Sequence, residues 1–500
     1  MTNARLSLFF LLLLCAPAVG LFFLLGFAGS WAVGLGAAAA IVMMIWTVKS
    51  SIGAPGAIRS DILLFSLAVS LALCLLGGEG RLFFANNDWL VRDAVLHDLV
   101  AQPWPFAYRI DASHAVEQSF IMRAPLAMYM LPAAAGKMFG LYAAHLTLLA
   151  QNTILFALIF YFIVPPRYEF WRAAAMISIF ALFSGLDAVP VLARHALSMD
   201  DPSNGVTPAD HLEPWAHLFQ YSSHITQVFW VPQHAIAGWA FAALYLFWQR
   251  GCARASTLVC ILPYLAYWSP IAVIGAAPFV FYAAVSDLAE RKIGRSDIVA
   301  LLLAAVPAPL LLDYLVQGGG AVEHGFLIDA PGFWNVYFAF IYVEFIPYAA
   351  LIVAMRPTMI KDPTFLLVVI SLLAIPFYKL GMSNDFAMRA SIPALALLAA
   401  NFGVTLTDSV AAGNRVLWTR LATLVLIVGS VTGAMEVRRA LIRPASPISA
   451  CDLIQAWDQS PFILFPKTTY LVNLDTLPEW MRPRSPTDVP PAAPRRCFAQ

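Results

Sequence analysis

Apolar residues in this chain come in long blocks rather than in alternation. From Met1 to Trp46 only Arg5 carries a charge, and the block breaks once, near Gly29 and Ser30. A helix of about 20 apolar residues crosses a bilayer and satisfies its backbone polar groups within its own segment. On that measure the pattern predicts spans over 6–28, 30–48, 61–78, 141–164, 171–191, 229–248, 257–268 paired with 271–287, 298–316, 335–355, 364–380, 390–406 and 418–435. The pair about Ser269 and Pro270 is short and reads as a tight or broken hairpin. The first block is followed at once by a second span and by no convincing cleavage site, so it reads as a retained helix, not a signal peptide.

One apolar stretch, 124–140, is left out of the spans for a reason of charge. With it lying flat, the short loops holding Lys49/Arg59, Arg167/Arg172, Arg250/Arg254, Arg291/Lys292/Arg295, Arg356/Lys361 and Arg415/Arg420 share one side. Counted as a span, it divides them. The positive-inside tendency makes the shared side cytoplasmic. The expectation is an all-α polytopic bundle of about thirteen transmembrane helices in the cell (inner) membrane, starting inside and ending outside. Residues 1–435 would form the membrane domain, with external loops near 79–123, 192–228, 317–334 and 381–389 and interfacial helices in the first. Residues 436–500 would form an extracytoplasmic tail, whose middle, SPFILFPKTTYLVNLD, reads as one or two short strands or an edge packed on those loops. No internal repeat is visible, which counts against transporter folds built from repeated halves.

Composition excludes a soluble domain. The chain is 61% hydrophobic and 12% charged, against about 25% charged residues in soluble proteins. A net charge of +1 supplies no field for nucleic acid, and none is expected as a partner. Of six cysteines, Cys15, Cys74, Cys252 and Cys260 fall in or beside spans. Cys451 and Cys497 share the tail, where an oxidising compartment permits a bridge and two unpaired thiols are the other reading. No CxxC or HxxxH pattern marks zinc.

Candidate chemistry sits where polar residues interrupt the pattern. The stretch from Asn86 to Asp98 predicts a helix capped by Asn87 or Asp88 and stopped by Pro103. On a helical period Asp88 lies with Arg92, Asp93 with His97, and Asp98 points elsewhere. Apolar residues fill the gaps, so these charges are paired or line a polar cavity. Asp88 is then either part of an interfacial ion pair or a functional carboxylate. Farther on, Asp200, Asp201, Asp210 and Glu213 could suit a divalent cation or sugar hydroxyls, but their spacing reads more simply as a solvated acidic loop. Gln227, Gln233 and His234 are expected at the mouth of a span, facing a cavity. Asn384 and Asp385 are placed to cap a helix whose first turn carries Arg389, a fork of donors that fits a phosphate, with Lys379 and Arg123 at the same level. Glu344, inside a predicted span, must be protonated, paired or functional.

The segments NNDWLVRDAVLHDLV, PWPFAY, FQYSSHITQVFWVPQHA and SNDFAMRASIPAL, with an Asp opening a long first external loop and a later Arg at the outer face, resemble the C-type (GT-C) membrane glycosyltransferases, in an uncharacterised bacterial branch. The resemblance covers most spans loosely, and only the first loop matches a motif position. Two spans precede that loop where the family usually has one, and a lone Asp88 beside Trp89 stands where the family commonly has paired acids. The resemblance implies transfer of a sugar from a polyprenyl-phosphate donor to a glycan, lipid or protein acceptor on the extracytoplasmic face. Asp88 would be the catalytic base, and Arg389, Lys379 and Arg123 would hold the donor phosphate. Arg92, Asp93, His97, Asp98, Gln233, His234, Asn384 and Asp385 would line or support the sugar site, with magnesium or manganese as the cation if one is used. The alternative reading is a transporter or flippase centred on Glu344, or a ligase or scaffold subunit of envelope-polymer synthesis.

Overall fold

Proline and the length of each apolar run set the elements of this fold, a computed structural model. It describes residues 2–26, 31–49, 52–53, 56–111, 117–197, 211–318, 322–381, 383–489 and 496–497. The first apolar block is α1 (Asn3–Cys15) and α2 (Pro17–Leu24), followed by α3 (Trp31–Val48) and α4 (Ser60–Leu76). Next come α5 (Asp88–Ala101), β1 (Phe106–Asp111), β2 (Glu117–Met122), α6 (Ala127–Phe139), α7 (Leu141–Ile163), α8 (Phe170–Ala181) and α9 (Ala188–Ala196). The middle of the chain gives α10 (His224–Trp230), α11 (Pro232–Gln249), α12 (Ala255–Trp268), α13 (Pro270–Ala289), α14 (Arg295–Ala304) and α15 (Ala308–Val316). After β3 (His324–Phe326) follow α16 (Phe333–Glu344), α17 (Ile346–Met355), α18 (Pro363–Ala374), β4 (Tyr378–Leu380), α19 (Asp385–Ala390), α20 (Ile392–Ala412) and α21 (Val416–Ile442). The chain closes with α22 (Leu453–Asp458), β5 (Leu471–Asn473) and β6 (Thr487–Val489). Helices α2, α11, α13 and α18 each begin on a proline. There the missing N–H is one the helix would leave unbonded anyway.

The structure is that of a helical membrane protein, with fewer full-length spans than the pattern predicts. Among the described residues five helices are long and apolar enough to cross a bilayer, or seven if the bent pairs α14–α15 (41°) and α16–α17 (44°) each count as one. Several expected spans are shorter. The run 171–191 leaves helical geometry after Ala181, and α4, α12 and α18 stop at 17, 14 and 12 residues. A helix of 12 residues is about 18 Å long, well short of the hydrocarbon core.

The segment after α4 departs from expectation in its second half. Helix α5 forms, but a β-hairpin replaces the interfacial helices beyond it. Phe106, Tyr108 and Ile110 alternate with Ala107, Arg109 and Asp111, a period of two that suits a strand. β1 pairs antiparallel with β2, and the tail supplies both outer strands, giving the order β5-β2-β1-β6. Helix α6 packs antiparallel beside the first half of α7. Gln151 Nε2 donates to the Met128 carbonyl at 2.9 Å, and Gly136 faces Ala144 where a Cβ would come within 2.8 Å of it. The same glycine leaves no room for a Cβ beside Val100, at 2.4 Å, so it allows α5, α6 and α7 to meet.

The tail is fastened to α5 through Asp98, which is fully buried. Its Oδ2 accepts from the Tyr108 hydroxyl at 2.6 Å and from the Leu453 N–H at 2.8 Å, and its Oδ1 lies 2.9 Å from His97 Nδ1. Cys451 and Cys497 are bridged, which selects the paired reading. Asp98→Ala leaves two buried donors without an acceptor and is expected to cost about 3 kcal/mol. A lower unfolding temperature, with faster proteolysis beyond Ile442, is the outcome that checks this.

Candidate functional site

The break between α10 and α11 builds the site. Val231 leaves helical geometry (φ −140°, ψ 51°), and Pro232 has no N–H, so the last carbonyls of α10 need partners from outside the helix. The Phe229 carbonyl receives two, from Asn86 Nδ2 at 2.7 Å and Trp89 Nε1 at 3.1 Å. Asn86 also caps α5, its Oδ1 accepting from the Asp88 N–H at 3.1 Å. That differs from the expected cap, because Asn87 makes no side-chain cap bond. These contacts pin the start of α5 beside the start of α11, where Gln233 and His234 emerge.

Trp89 is buried and carries two guanidinium groups, Arg81 at 5.0 Å and Arg92 at 5.5 Å from its ring centre. Arg81 pairs with Asp93, while Arg92 Nη2 donates to Asp88 Oδ2 at 3.0 Å. Arg92 is only 4% exposed, yet its Nε and Nη1 have no partner among the described residues. The Asp88 carboxylate remains partly open, with 28% of its side chain exposed.

A second ion pair faces this one. Asp385 and Arg389, one turn apart on α19, meet at 2.9 Å and are each about a quarter exposed. Tyr470 is within electrostatic reach of both pairs. Burial raises its phenol above the usual range, the charges of Arg92 and Arg389 oppose that rise, and those of Asp88 and Asp385 add to it. The charges of Arg389 and Arg92 also both reach His234, whose Nδ1 lies 2.7 Å from Ser269 Oγ at the start of α13. The Gln233 side chain is buried beside it with Oε1 unpartnered. Arg123 borders the same place, since its N–H donates to the Tyr470 carbonyl at 2.7 Å and its Nε and Nη2 are unpartnered.

Asp88, Arg92, Arg123, Gln233, His234, Asp385 and Arg389 therefore converge, and other expected members do not. Lys379 is held by Glu323 at 2.8 Å at the two-stranded β3–β4 sheet. Asp93 turns to Arg81 rather than to His97, and His97 meets Asp98, which anchors the tail. Asn384 caps α19 through Oδ1, and its Nδ2 donates to the Leu218 carbonyl at 2.7 Å. Gln227 is spent inside the bundle, bonded to Ser222 and Trp239. Glu344 is paired, sharing the Trp215 N–H with Asp187. Tyr470 was not foreseen, nor was Tyr129 of α6, a buried phenol within reach of the Arg92 and Asp88 charges, and no sequence signal marks either. Tyr470 arrives only through the pairing of β5 with β2.

The acidic residues Asp200, Asp201 and Asp210 lie outside the described residues. Among those described, no three His, Cys, Asp or Glu side chains are grouped to hold a metal ion. Compared with known proteins, the chain matches no family model, no curated protein and no solved structure.

Beneath the site, Glu79 is buried and accepts from Asn152 Nδ2 at 2.9 Å. Burial pushes its carboxyl up to about 8, against the Asn152 hydrogen bond and the charges of Arg81 and Arg92. The native state then keeps a proton that the unfolded chain releases. The stabilisation is full below pH 4.5 and is lost as pH rises through about 8, a contribution on the order of 3 kcal/mol. Unfolding titrations of wild type and Glu79→Gln across that window should show the slope in the first and its loss in the second.

Proposed function

We propose that this chain is a membrane glycosyltransferase, with about thirteen membrane-crossing segments when the short and bent helices are included. In this reading it transfers a sugar from a polyprenyl-phosphate donor to a glycan, lipid or protein acceptor on the extracytoplasmic face of the cell membrane. The observation that carries the reading is one side chain with two roles. Arg92 holds Asp88 with Nη2 while its Nε and Nη1 are buried and unpartnered. Buried guanidinium N–H groups without a partner are costly unless an anion meets them. The Nη1 group offers a phosphate oxygen a charge-assisted hydrogen bond.

The chemistry follows from the spacing of charge. Asp88 takes the proton from the acceptor hydroxyl as that oxygen attacks the anomeric carbon, and the bond from that carbon to the phosphate oxygen breaks. Attack and departure on opposite faces invert the anomeric centre. The leaving phosphate is a weak base and needs charge stabilisation more than a proton. Arg92 and Arg389, whose charges both reach Tyr470, supply it. Arg92 thus takes the part that the sequence reading gave to Lys379. Gln233 Oε1, an unpartnered acceptor, suits a sugar hydroxyl. The positive-inside assignment puts this site outside.

Asp88→Asn keeps the shape and removes the base, so transfer should fall by about 10²–10⁴-fold while insertion and the Cys451–Cys497 bridge persist. Arg92→Lys loses the planar edge, and the KM for the donor should rise about tenfold, the effect of one charge-assisted hydrogen bond. Both are measured with labelled polyprenyl-phosphate sugar in proteoliposomes. Undiminished transfer by folded Asp88→Asn would remove the assignment.

A further inference from the structure

Away from this site, the carboxyl groups of Asp187 and Glu344 are enclosed at 0% and 1% exposure. Trp215 Nε1 donates to both, to Asp187 Oδ1 and Glu344 Oε1, each at 3.1 Å. Two carboxylates ionised together against a single N–H, and enclosed from water, would repel each other strongly, so one of them holds a proton. Glu344 Oε2 has no hydrogen-bond partner among the described residues. It lies against Gly185, where an added Cβ would sit 2.0 Å from it. Asp187 Oδ2 is held by Thr432 Oγ1 at 2.9 Å and Ser184 Oγ at 3.3 Å.

The charges packed around the pair do not neutralise it. His211 Nδ1 meets Glu436 at 2.8 Å, and its Nε2 stands 4.0 Å from Glu213. Arg439 pairs with Glu436, and Arg194 donates to the Trp215 carbonyl at 2.9 Å. Glu213 is satisfied by Gln220 Nε2 at 2.7 Å and the Ser223 N–H at 2.8 Å. The phenols of Tyr348 and Tyr221 complete the surroundings. Burial opposes charge on His211, but its bond to Glu436 and the charges of Glu213 and Glu436 outweigh that and raise it. Among the described residues, no cation contacts Asp187 or Glu344.

We propose that Asp187 and Glu344 form a proton-binding site that clasps the loop 211–223 to the bundle and, through Asn384, holds Arg389 in place. Trp215 belongs to that loop. Three residues on, the Leu218 carbonyl accepts from Asn384 Nδ2 at 2.7 Å. Asn384 caps α19, which carries Asp385 and Arg389. Loss of the proton sets two adjacent anions against one indole N–H in a medium that solvates neither. The clasp then opens, and α19 loses its tether. The proton site stands without the glycosyltransferase reading; only the importance of moving Arg389 rests on it.

Infrared difference spectroscopy of the full chain in lipid nanodiscs tests the proton directly. Beside the acid band of Glu79, which Glu79→Gln removes, wild type at neutral pH should show a second C=O stretch of a protonated carboxyl, lost or shifted in both Glu344→Gln and Asp187→Asn. Where one variant does not fold, the other decides. Hydrogen–deuterium exchange tests the clasp. At alkaline pH, peptides covering 211–223 should exchange about tenfold faster in wild type than in Glu344→Gln at the same pH, the effect of one unit of proton linkage. The peptide covering 383–391 should follow in wild type and cease to follow in Asn384→Ala. A missing second acid band, or equal exchange of wild type and Glu344→Gln at every pH, overturns the site. A response in 211–223 without one in 383–391 overturns the link to Arg389. Neither readout uses sugar transfer, so failure here leaves the role of Asp88 standing, and the reverse.

Discussion

The carbonyl oxygen of Phe229 is the point on which the candidate site rests. A helix that ends leaves acceptors behind, and inside an apolar bundle these cannot turn to water. Asn86 and Trp89 answer that need from a different part of the chain. Because Trp89 must hold its N–H toward Phe229, its ring is fixed, and both guanidiniums on that ring are fixed with it. Asp88 inherits its position from Arg92. One unsatisfied backbone group thereby sets the geometry of four charged or aromatic side chains.

The same economy explains the charge arrangement below. Arg81, Arg92, Asp93 and Glu79 are buried together or nearly so, and opposite signs interleave. A single like-charged cluster there would be expelled or neutralised. Pairing holds most of these groups, and the unfilled N–H groups of Arg81, Arg92 and Arg123 stand out against it.

Much of the helical content was legible because apolar run length and proline position are local properties. The short pair about Pro270 and the helix from Asp88 to Ala101 follow from neighbouring residues, whereas the break at Pro232 falls inside the expected span 229–248. What escaped was non-local. Lys379 looks available until β3 brings Glu323 to it. Asp93 looks like a partner for His97 until Arg81, twelve residues earlier, reaches it. The alternation in FAYRID was visible, but a strand needs a second strand, and three short segments of low intrinsic signal supply the rest of the sheet. Full-length spans are fewer than the apolar runs for a related reason. Hydropathy registers apolar length, whereas the polar stretch after Ala181 is held by contacts of Asp187 with Thr432 and Trp215, far along the chain.

The stitching of the tail onto the sheet has a consequence for biogenesis. Asp98 waits for Leu453, 355 residues later, and Ala85 waits for Ser446, 361 residues later. Loops that long close slowly, and contacts of such separation form late. Until the strand Leu471–Asn473 reaches β2, Tyr470 is out of reach of the two ion pairs. A chain still being inserted therefore carries Asp88 and Arg389 without the phenol that both charges reach. Assembly of the site then waits for the tail, which keeps a partly made chain from presenting the chemistry of a folded one.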